Sequence, residues 1–264
     1  MPPLLNVSEI LKNSSPQLPP SLKILILDQI DSTNSEAQRL ISEKKMPPPL
    51  VIFAESQTQG RGRLDRKWES PAYQNLYLSL VIELPSQNLL AQNTLICGIA
   101  LLESLLPLVP QGLQLKWPND VLLNKKKVAG ILSELVLNIG QPAKLIIGVG
   151  INVNAGPKDF SETLSNKATS LKIEFSKDFN RAEIAGRFLA SFFSAFEEYF
   201  QTGFAPFREK WEGYAKPWGT RVSVEEAELR YEGTYLGLNK EGYLRVQTAT
   251  GENLVIAGDV NWGI

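Results

Sequence analysis

Short apolar runs separated by proline, glycine and polar clusters set the frame of this chain. Leu22-Lys-Ile-Leu-Ile-Leu27 reads as a buried strand, and Ser32 or Thr33 can cap a helix that runs to about Lys44, where Met46-Pro-Pro-Pro49 stops it. Strands are predicted at about 50–55 and 75–83. From Leu89 to Leu106 the apolar residues recur at helical spacing, which predicts a core helix. The segments 113–123 and 127–137 read as paired strands joined around Asn124-Lys125-Lys126, and 144–153 adds another. From Phe179 to Phe200 the spacing is again helical, with Phe188, Phe192, Phe193 and Phe196 on the core side, and a shorter helix is expected over 203–213. Beyond Pro217 the pattern changes to short strands punctuated by Gly219, Gly233, Gly237, Gly242, Gly251 and Gly258, which predicts hairpins closing into a small barrel.

The pattern divides the chain into a Pro-rich arm over 1–21, a large mixed domain over 22–215 and a small β domain over 216–264. Pro2, Pro3, Pro16, Pro19 and Pro20 argue against one continuous helix in the arm and for loose attachment. At 264 residues and 43% hydrophobic the chain can bury a sizeable core. A formal charge of -1 argues against a general nucleic-acid binder, so any positive field is local. The single cysteine, Cys97, excludes an internal disulfide, and the absence of histidine removes Ser-His and Cys-His catalysis. No stretch approaches the roughly 20 apolar residues of a membrane span, and no basic, apolar leader opens the chain. These features point to a cytoplasmic protein with no nucleic-acid or membrane partner.

Candidate chemistry concentrates in Gln57-Thr-Gln-Gly-Arg-Gly-Arg-Leu-Asp-Arg-Lys-Trp68. Gly60 and Gly62 permit unusual backbone and close approach, while Arg61, Arg63 and Arg66 offer planar forks that fit phosphate or carboxylate oxygens. Trp68 can cover a ring or an apolar tail. Taken alone, the segment is better explained by a solvated basic turn with a docked tryptophan. Three further segments change that balance: Asp31-Ser-Thr-Asn34, Lys116-Trp-Pro-Asn-Asp120 with Lys127-Val-Ala-Gly-Ile131, and Gly148-Val-Gly-Ile-Asn-Val-Asn154. In this order they resemble the biotin protein ligases, from about Leu25 to the C-terminus.

The resemblance implies an α+β fold: a mixed sheet with helices like that of class II aminoacyl-tRNA synthetases, and a C-terminal SH3-like β-barrel. It implies activation of biotin with ATP and Mg²⁺ to biotinyl-5'-AMP, then transfer to a lysine of a biotin carboxyl carrier protein or domain. Ser32, Thr33, Asn34 and Gln57 match residues that hold biotin's ureido ring, with Gly60, Arg61 and Gly62 of the loop beside them. Lys127 and Arg63 are the catalytic candidates, Lys127 placed beside the biotin carboxylate and the α-phosphate and Arg63 assigned to the phosphate, while Arg61 is assigned to holding the loop closed. Arg61, Arg66, Trp68, Asn119, Asp120 and Asn152 match the adenylate side, and Gly148 and Gly150 either leave backbone open to the purine or mark a tightly packed strand end. Asp120 is also the acid considered as base for the acceptor lysine. No residue is assigned as a metal ligand. The family's Arg-Gly continuation of the loop is replaced by Leu64-Asp65, and the tail Gly258-Asp-Val-Asn-Trp-Gly-Ile264 has Trp-Gly where a basic residue is usual. The arm is too short for a winged helix-turn-helix, so a monofunctional ligase without DNA binding is expected; a homodimer is compatible with the resemblance.

Two other functions stay open on sequence. One is a lipoate or octanoate ligase or transferase of the same superfamily, for which Cys97 lies in an unpromising apolar run. The other is a non-catalytic biotin or nucleotide sensor, which needs no Lys127 and Gly-Arg loop together.

Overall fold

A computed structural model describes residues 3–14, 18–84, 90–137, 142–226 and 229–263; Pro2, Pro16, Leu89 and Ile264 lie outside them. In chain order the elements are α1 (Val7–Lys12), β1 (Lys23–Ile30), α2 (Thr33–Ser42), β2 (Leu50–Gln57), β3 (Leu76–Glu83), α3 (Leu90–Leu105), β4 (Leu113–Lys116), β5 (Asp120–Leu123), β6 (Lys126–Val136) and β7 (Lys144–Ile151). Then follow α4 (Glu162–Ser165), α5 (Leu171–Phe175), α6 (Arg181–Thr202), α7 (Ala205–Tyr214), β8 (Arg221–Glu226), β9 (Leu229–Leu238), β10 (Leu244–Thr248), β11 (Gly251–Val255) and β12 (Asp259–Trp262).

The first seven strands form one sheet in the order β1-β2-β3-β7-β6-β5-β4, with β1 and β2 parallel and the other neighbours antiparallel. Both faces are covered, which is why its central strands read as unbroken apolar runs. Leu50 and Ile52 of β2 pack with Ala37 and Ile41 of α2, whereas the alternate Val51 and Phe53 join the larger core under α3 and α6. Phe188, Phe192 and Phe196 are buried in that core. The last five strands form an antiparallel sheet, β11-β10-β9-β8-β12, consistent with an SH3-like domain. It is fastened to the larger domain through Trp117 Nε1 donating to Gly242 O (3.1 Å), Gln92 Nε2 to Lys240 O (2.9 Å) and Leu238 N to Glu212 Oε1 (2.6 Å). Among the described residues no helix is long and apolar enough to cross a membrane.

Two expectations change. The 113–123 run is a hairpin, β4 and β5, turned at Trp117-Pro118-Asn119; apolar content alone concealed the break, although Pro118 cannot donate to a ladder. The N-terminal arm is docked, because its prolines flank a six-residue helix rather than interrupt it. Asn6 Oδ1 caps α1 by accepting from Ser8 N, Ile10 is fully buried, and Gly186 of α6 lets the α1 backbone come so close that a Cβ would lie 2.5 Å from Ile10 O.

The arm's docking point is a buried ion pair. Arg181 Nη1 donates to Glu55 Oε2 at 2.5 Å, both side chains being 3% exposed, while Arg181 Nη2 reaches Pro3 O (2.7 Å) and Leu5 N reaches Glu55 Oε1 (2.7 Å). Removing one partner of such a pair strands the other charge, so Glu55→Gln is expected to cost about 3 kcal/mol of stability. Urea unfolding reads this directly, and a loss below about 1 kcal/mol would contradict it.

Candidate active site

The Gly-Arg segment is a small ordered hairpin. Gly62 N donates to Arg66 O (2.7 Å), Trp68 N donates to Gly60 O (2.9 Å), and Arg61 bridges to Lys67. Leu64 and Asp65 form its tip at φ of 53° and 56°, left-handed backbone that glycine adopts without strain. The departure at these positions is thus taken up as a strained turn with both side chains exposed. Gly60 is buried where a Cβ would lie 2.9 Å from Ser70 Oγ, so it shapes the loop and does not border the cavity beneath.

That cavity, about 1200 Å³, is bordered by every other site residue expected from sequence. Ser32 occupies the N-cap position of α2 without a side-chain cap bond, leaving its hydroxyl free of that duty. Its neighbours form a continuous polar chain. Thr33 N and Oγ1 donate to Gln57 Oε1 (2.9 and 3.2 Å), Gln57 Nε2 donates to Ser70 Oγ (3.0 Å), and Ser70 Oγ donates to Trp68 O (3.2 Å). Ser79 Oγ lies 2.5 Å from Asn34 Oδ1 and 2.8 Å from Thr33 Oγ1. Gly148 and Gly150 serve close packing, one of the two uses expected of them. A Cβ on Gly148 would collide with the Asn34 amide, and one on Gly150 with the Trp68 indole, so the space they leave is filled by side chains.

Lys127 projects into this cavity because β6 carries a bulge against β5: Val121 pairs with Ala129 but Leu122 with Lys127. Its backbone is held by Lys127 N donating to Lys167 O (2.8 Å) and Thr169 N to Lys127 O (2.9 Å). Its ammonium lies 2.6 Å from Asp120 Oδ1, an ion pair without hydrogen-bond alignment, and 5.2 Å from the Trp68 ring centroid. Gly130 makes room for both, since a Cβ there would lie 2.9 Å from Lys127 Nζ and from the Trp68 ring. Lys125 is exposed in the Asn124-Lys125 turn, where both residues have positive φ.

Across the cavity the loop meets the C-terminal domain. Arg63 Nη2 donates to Gly258 O (3.0 Å), Nη1 to Asn119 Oδ1 (3.3 Å), and its nearest carboxylate is Asp259 at 3.9 Å. Burial pulls the Arg63 guanidinium down from its ordinary range, only partly offset by Asp259 and Asp120, so it is a cation short of a close anion. Arg66 pairs with Asp259. Burial works to raise the Asp259 carboxyl, but Arg66, Arg63 and Lys116 together hold it below the usual carboxylate range.

Asn119 and Asn152 are partly committed. Asn119 Nδ2 donates to Ile131 O (2.7 Å), and Asn152, 5% exposed, donates through Nδ2 to Thr169 O (3.0 Å). Each pins a wall of the cavity. Sequence reasoning missed Glu134, whose Oε2 accepts from Arg61 Nη2 (2.7 Å) and Asn34 Nδ2 (2.6 Å). It also missed Ser79, a lone hydroxyl within an apolar strand, and the Phe160–Ala168 wall, whose polar sequence carries no motif. Among the described residues no three metal-ligating side chains gather, whereas Arg63, Arg66, Lys116 and Lys127 all border the cavity, a donor set for polyphosphate.

The model of the Biotin/lipoate A/B protein ligase family matches residues 26–152. The bifunctional ligase/repressor BirA of Bacillus subtilis (strain 168) is 32% identical over 238 residues, 89% of this chain and 73% of that one. The biotin--[acetyl-CoA-carboxylase] ligase of Paracoccus denitrificans is 31% identical over 244 residues, 90% of this chain and 100% of that one. Among solved structures, the biotin protein ligase from Aquifex aeolicus in complex with biotin and ATP has a TM-score of 0.78 and 32% identity, covering 91% of this chain and 98% of that one. With such identity across most of both chains and a shared fold, the protein belongs to the Biotin/lipoate A/B protein ligase family, among its biotin ligases.

Proposed function

We propose that this cavity joins biotin to AMP using ATP and then delivers biotin to a lysine of a biotin carboxyl carrier protein or domain. The observation that carries this reading is the continuity of one cavity from the Ser32–Asn34 and Gln57 group, past Trp68 and Gly130, to Lys127 and Arg63. A polar end suits a ureido ring, an aromatic-walled middle suits an aliphatic tail, and a cationic end suits carboxylate and phosphate.

Forming an amide from a carboxylate in water is uphill, so the acid is first activated. A biotin carboxylate oxygen attacks the α-phosphorus of ATP, the bond to the departing phosphate oxygen breaks, and pyrophosphate leaves. Both reactants are anions, and the protein's contribution is to hold them together and balance charge that gathers between them. Lys127, oriented by Asp120, is the cation beside both oxygens. Arg63, the under-compensated cation, receives the α-phosphate, and Arg66 with Lys116 faces the leaving pyrophosphate. Mg²⁺ bound together with ATP would shield the charge of its phosphates, beside the Arg63, Arg66, Lys116 and Lys127 side chains. In the second step the acceptor's amine attacks the acyl carbon, the bond to AMP breaks, and the amine gives up a proton. Free lysine holds that proton to a pKa of about 10.4; Asp120, already paired with Lys127, serves better to orient that lysine than to take it.

An octanoyl-transfer reading needs a reactive thiol. Cys97 is fully buried, does not border the cavity, and burial pushes its thiol far up from the ordinary range. Its unpaired state agrees with a cytoplasmic enzyme. Incubation with biotin, ATP, Mg²⁺ and an isolated biotin carboxyl carrier domain is expected to add one biotin to one lysine, read by intact-mass spectrometry. Lipoate offered in place of biotin should add nothing; equal labelling by lipoate would overturn the assignment.

A further inference from the structure

The polar residues under the Gly-Arg hairpin converge on one carboxylate that the reaction itself does not require. Glu134 lies on β6, and its Oε2 accepts from Asn34 Nδ2 at 2.6 Å and from Arg61 Nη2 at 2.7 Å. These two donors belong to different parts of the cavity. Asn34, 3% exposed, is in the first turn of α2 beside Ser32 and Thr33, while Arg61 is in the first half of the hairpin.

Glu134, with Leu132 O accepting at the longer distance of 3.3 Å, sets the orientation of the Asn34 amide. Ser79 Oγ can donate or accept, so the 2.5 Å contact with Asn34 is compatible with either oxygen or nitrogen facing it. A carboxylate only accepts, and therefore turns Nδ2 toward itself and leaves Oδ1 on Ser79. The same oxygen fixes Arg61 in a charge-assisted bond. The hairpin is consequently tethered at both ends by one connected network: at Arg61 through Glu134, and at Trp68 through Ser70 and Gln57.

We propose that Glu134 is a positioning residue that couples occupation of the Ser32–Asn34 pocket to closure of the Gly-Arg hairpin. With the carboxylate in place, the polar pattern presented to a ureido ring and the closed position of Arg61 are set together. Without it, Asn34 Nδ2 keeps only its longer bond to Leu132 O (3.3 Å), and Arg61 loses the carboxylate it bonds. The pocket then holds the Asn34 amide less firmly toward the ring, and the hairpin opens more often while the intermediate is bound. This rests on the biotin reading of the cavity given above.

The test compares wild type with Glu134→Ala and the near-isosteric Glu134→Gln, measuring KM for biotin, KM for ATP, the half-life of purified enzyme-bound biotinyl-adenylate, and Tm. Expected for Glu134→Ala is a roughly tenfold rise in KM for biotin and a roughly tenfold shorter half-life, with KM for ATP within about twofold of wild type. Glutamine still accepts from both donors but lacks the charge, so Glu134→Gln should restore KM for biotin more fully than the half-life. If Glu134→Ala does not fold, Glu134→Gln decides, with a half-life several-fold shorter than wild type expected. A half-life and a KM for biotin both within about twofold of wild type in the folded variants would overturn the proposal. So would a fall confined to Tm and kcat, which would mean that Glu134 only supports the sheet. Wild type that forms no biotinyl-adenylate would instead overturn the functional reading, so the two failures are distinguishable.

Discussion

Lys127→Ala is expected to slow biotinyl-adenylate formation by roughly 10²-fold or more while weakening biotin binding far less. The reason is differential: the ammonium is of modest value to a bound carboxylate but of most value when that carboxylate and the α-phosphate crowd together. The structure adds a second contribution. Asp120 lies 2.6 Å from Lys127, and removal of the lysine leaves a bare carboxylate beside the incoming phosphate. The double variant Lys127→Ala with Asp120→Ala should therefore recover part of the lost rate and no more. Single-turnover adenylate formation and biotin titration separate the two effects. An unchanged rate in Lys127→Ala would return this residue to the solvated turn of Lys125.

Arg63→Gly is expected to release the intermediate. Arg63 ties the hairpin to the C-terminal domain through Gly258 O at 3.0 Å and to the β4–β5 turn through Asn119 Oδ1 at 3.3 Å. Glycine removes both ties and the phosphate contact proposed for Arg63, and it adds backbone freedom next to the already strained Leu64-Asp65 tip. The closed state of a lid protects a reactive anhydride from water and stray amines. The variant, with ATP, biotin and an unrelated lysine-rich protein, should biotinylate that bystander at several times the wild-type rate. If adenylate is still made and the bystander is labelled no more than by wild type, Arg63 is not the latch.

Much of the fold was legible because each central strand is apolar on both faces and each long helix carries a core stripe. Leu50–Gln57, Leu76–Glu83, Leu90–Leu105 and Arg181–Thr202 all follow from those periods. The break at Trp117-Pro118-Asn119 was hidden because Trp117, buried at 2% exposure, continues the apolar count of its strand while its side chain serves the domain interface. The docked arm was hidden because what holds it, the Glu55–Arg181 pair, joins residues 126 positions apart. The cavity's cations were legible from short motifs, whose glycines and arginines are adjacent in sequence. Its anchors were not: Glu134, Ser79 and Asp259 are single polar residues whose meaning depends on which strand lies beside them. Gly150 and Gly148 show the same limit, since glycine signals close approach without saying whether a ligand or a side chain approaches.

The central claim is that one cavity brings a biotin carboxylate to the α-phosphate of ATP. Exchange of radiolabelled pyrophosphate into ATP reads that step alone, with no acceptor protein required. Exchange should depend on biotin, be absent with lipoate or octanoate, and fall by roughly 10²-fold in Lys127→Ala. Exchange that proceeds as fast with lipoate, or wild-type enzyme that catalyses none with biotin, would contradict the account.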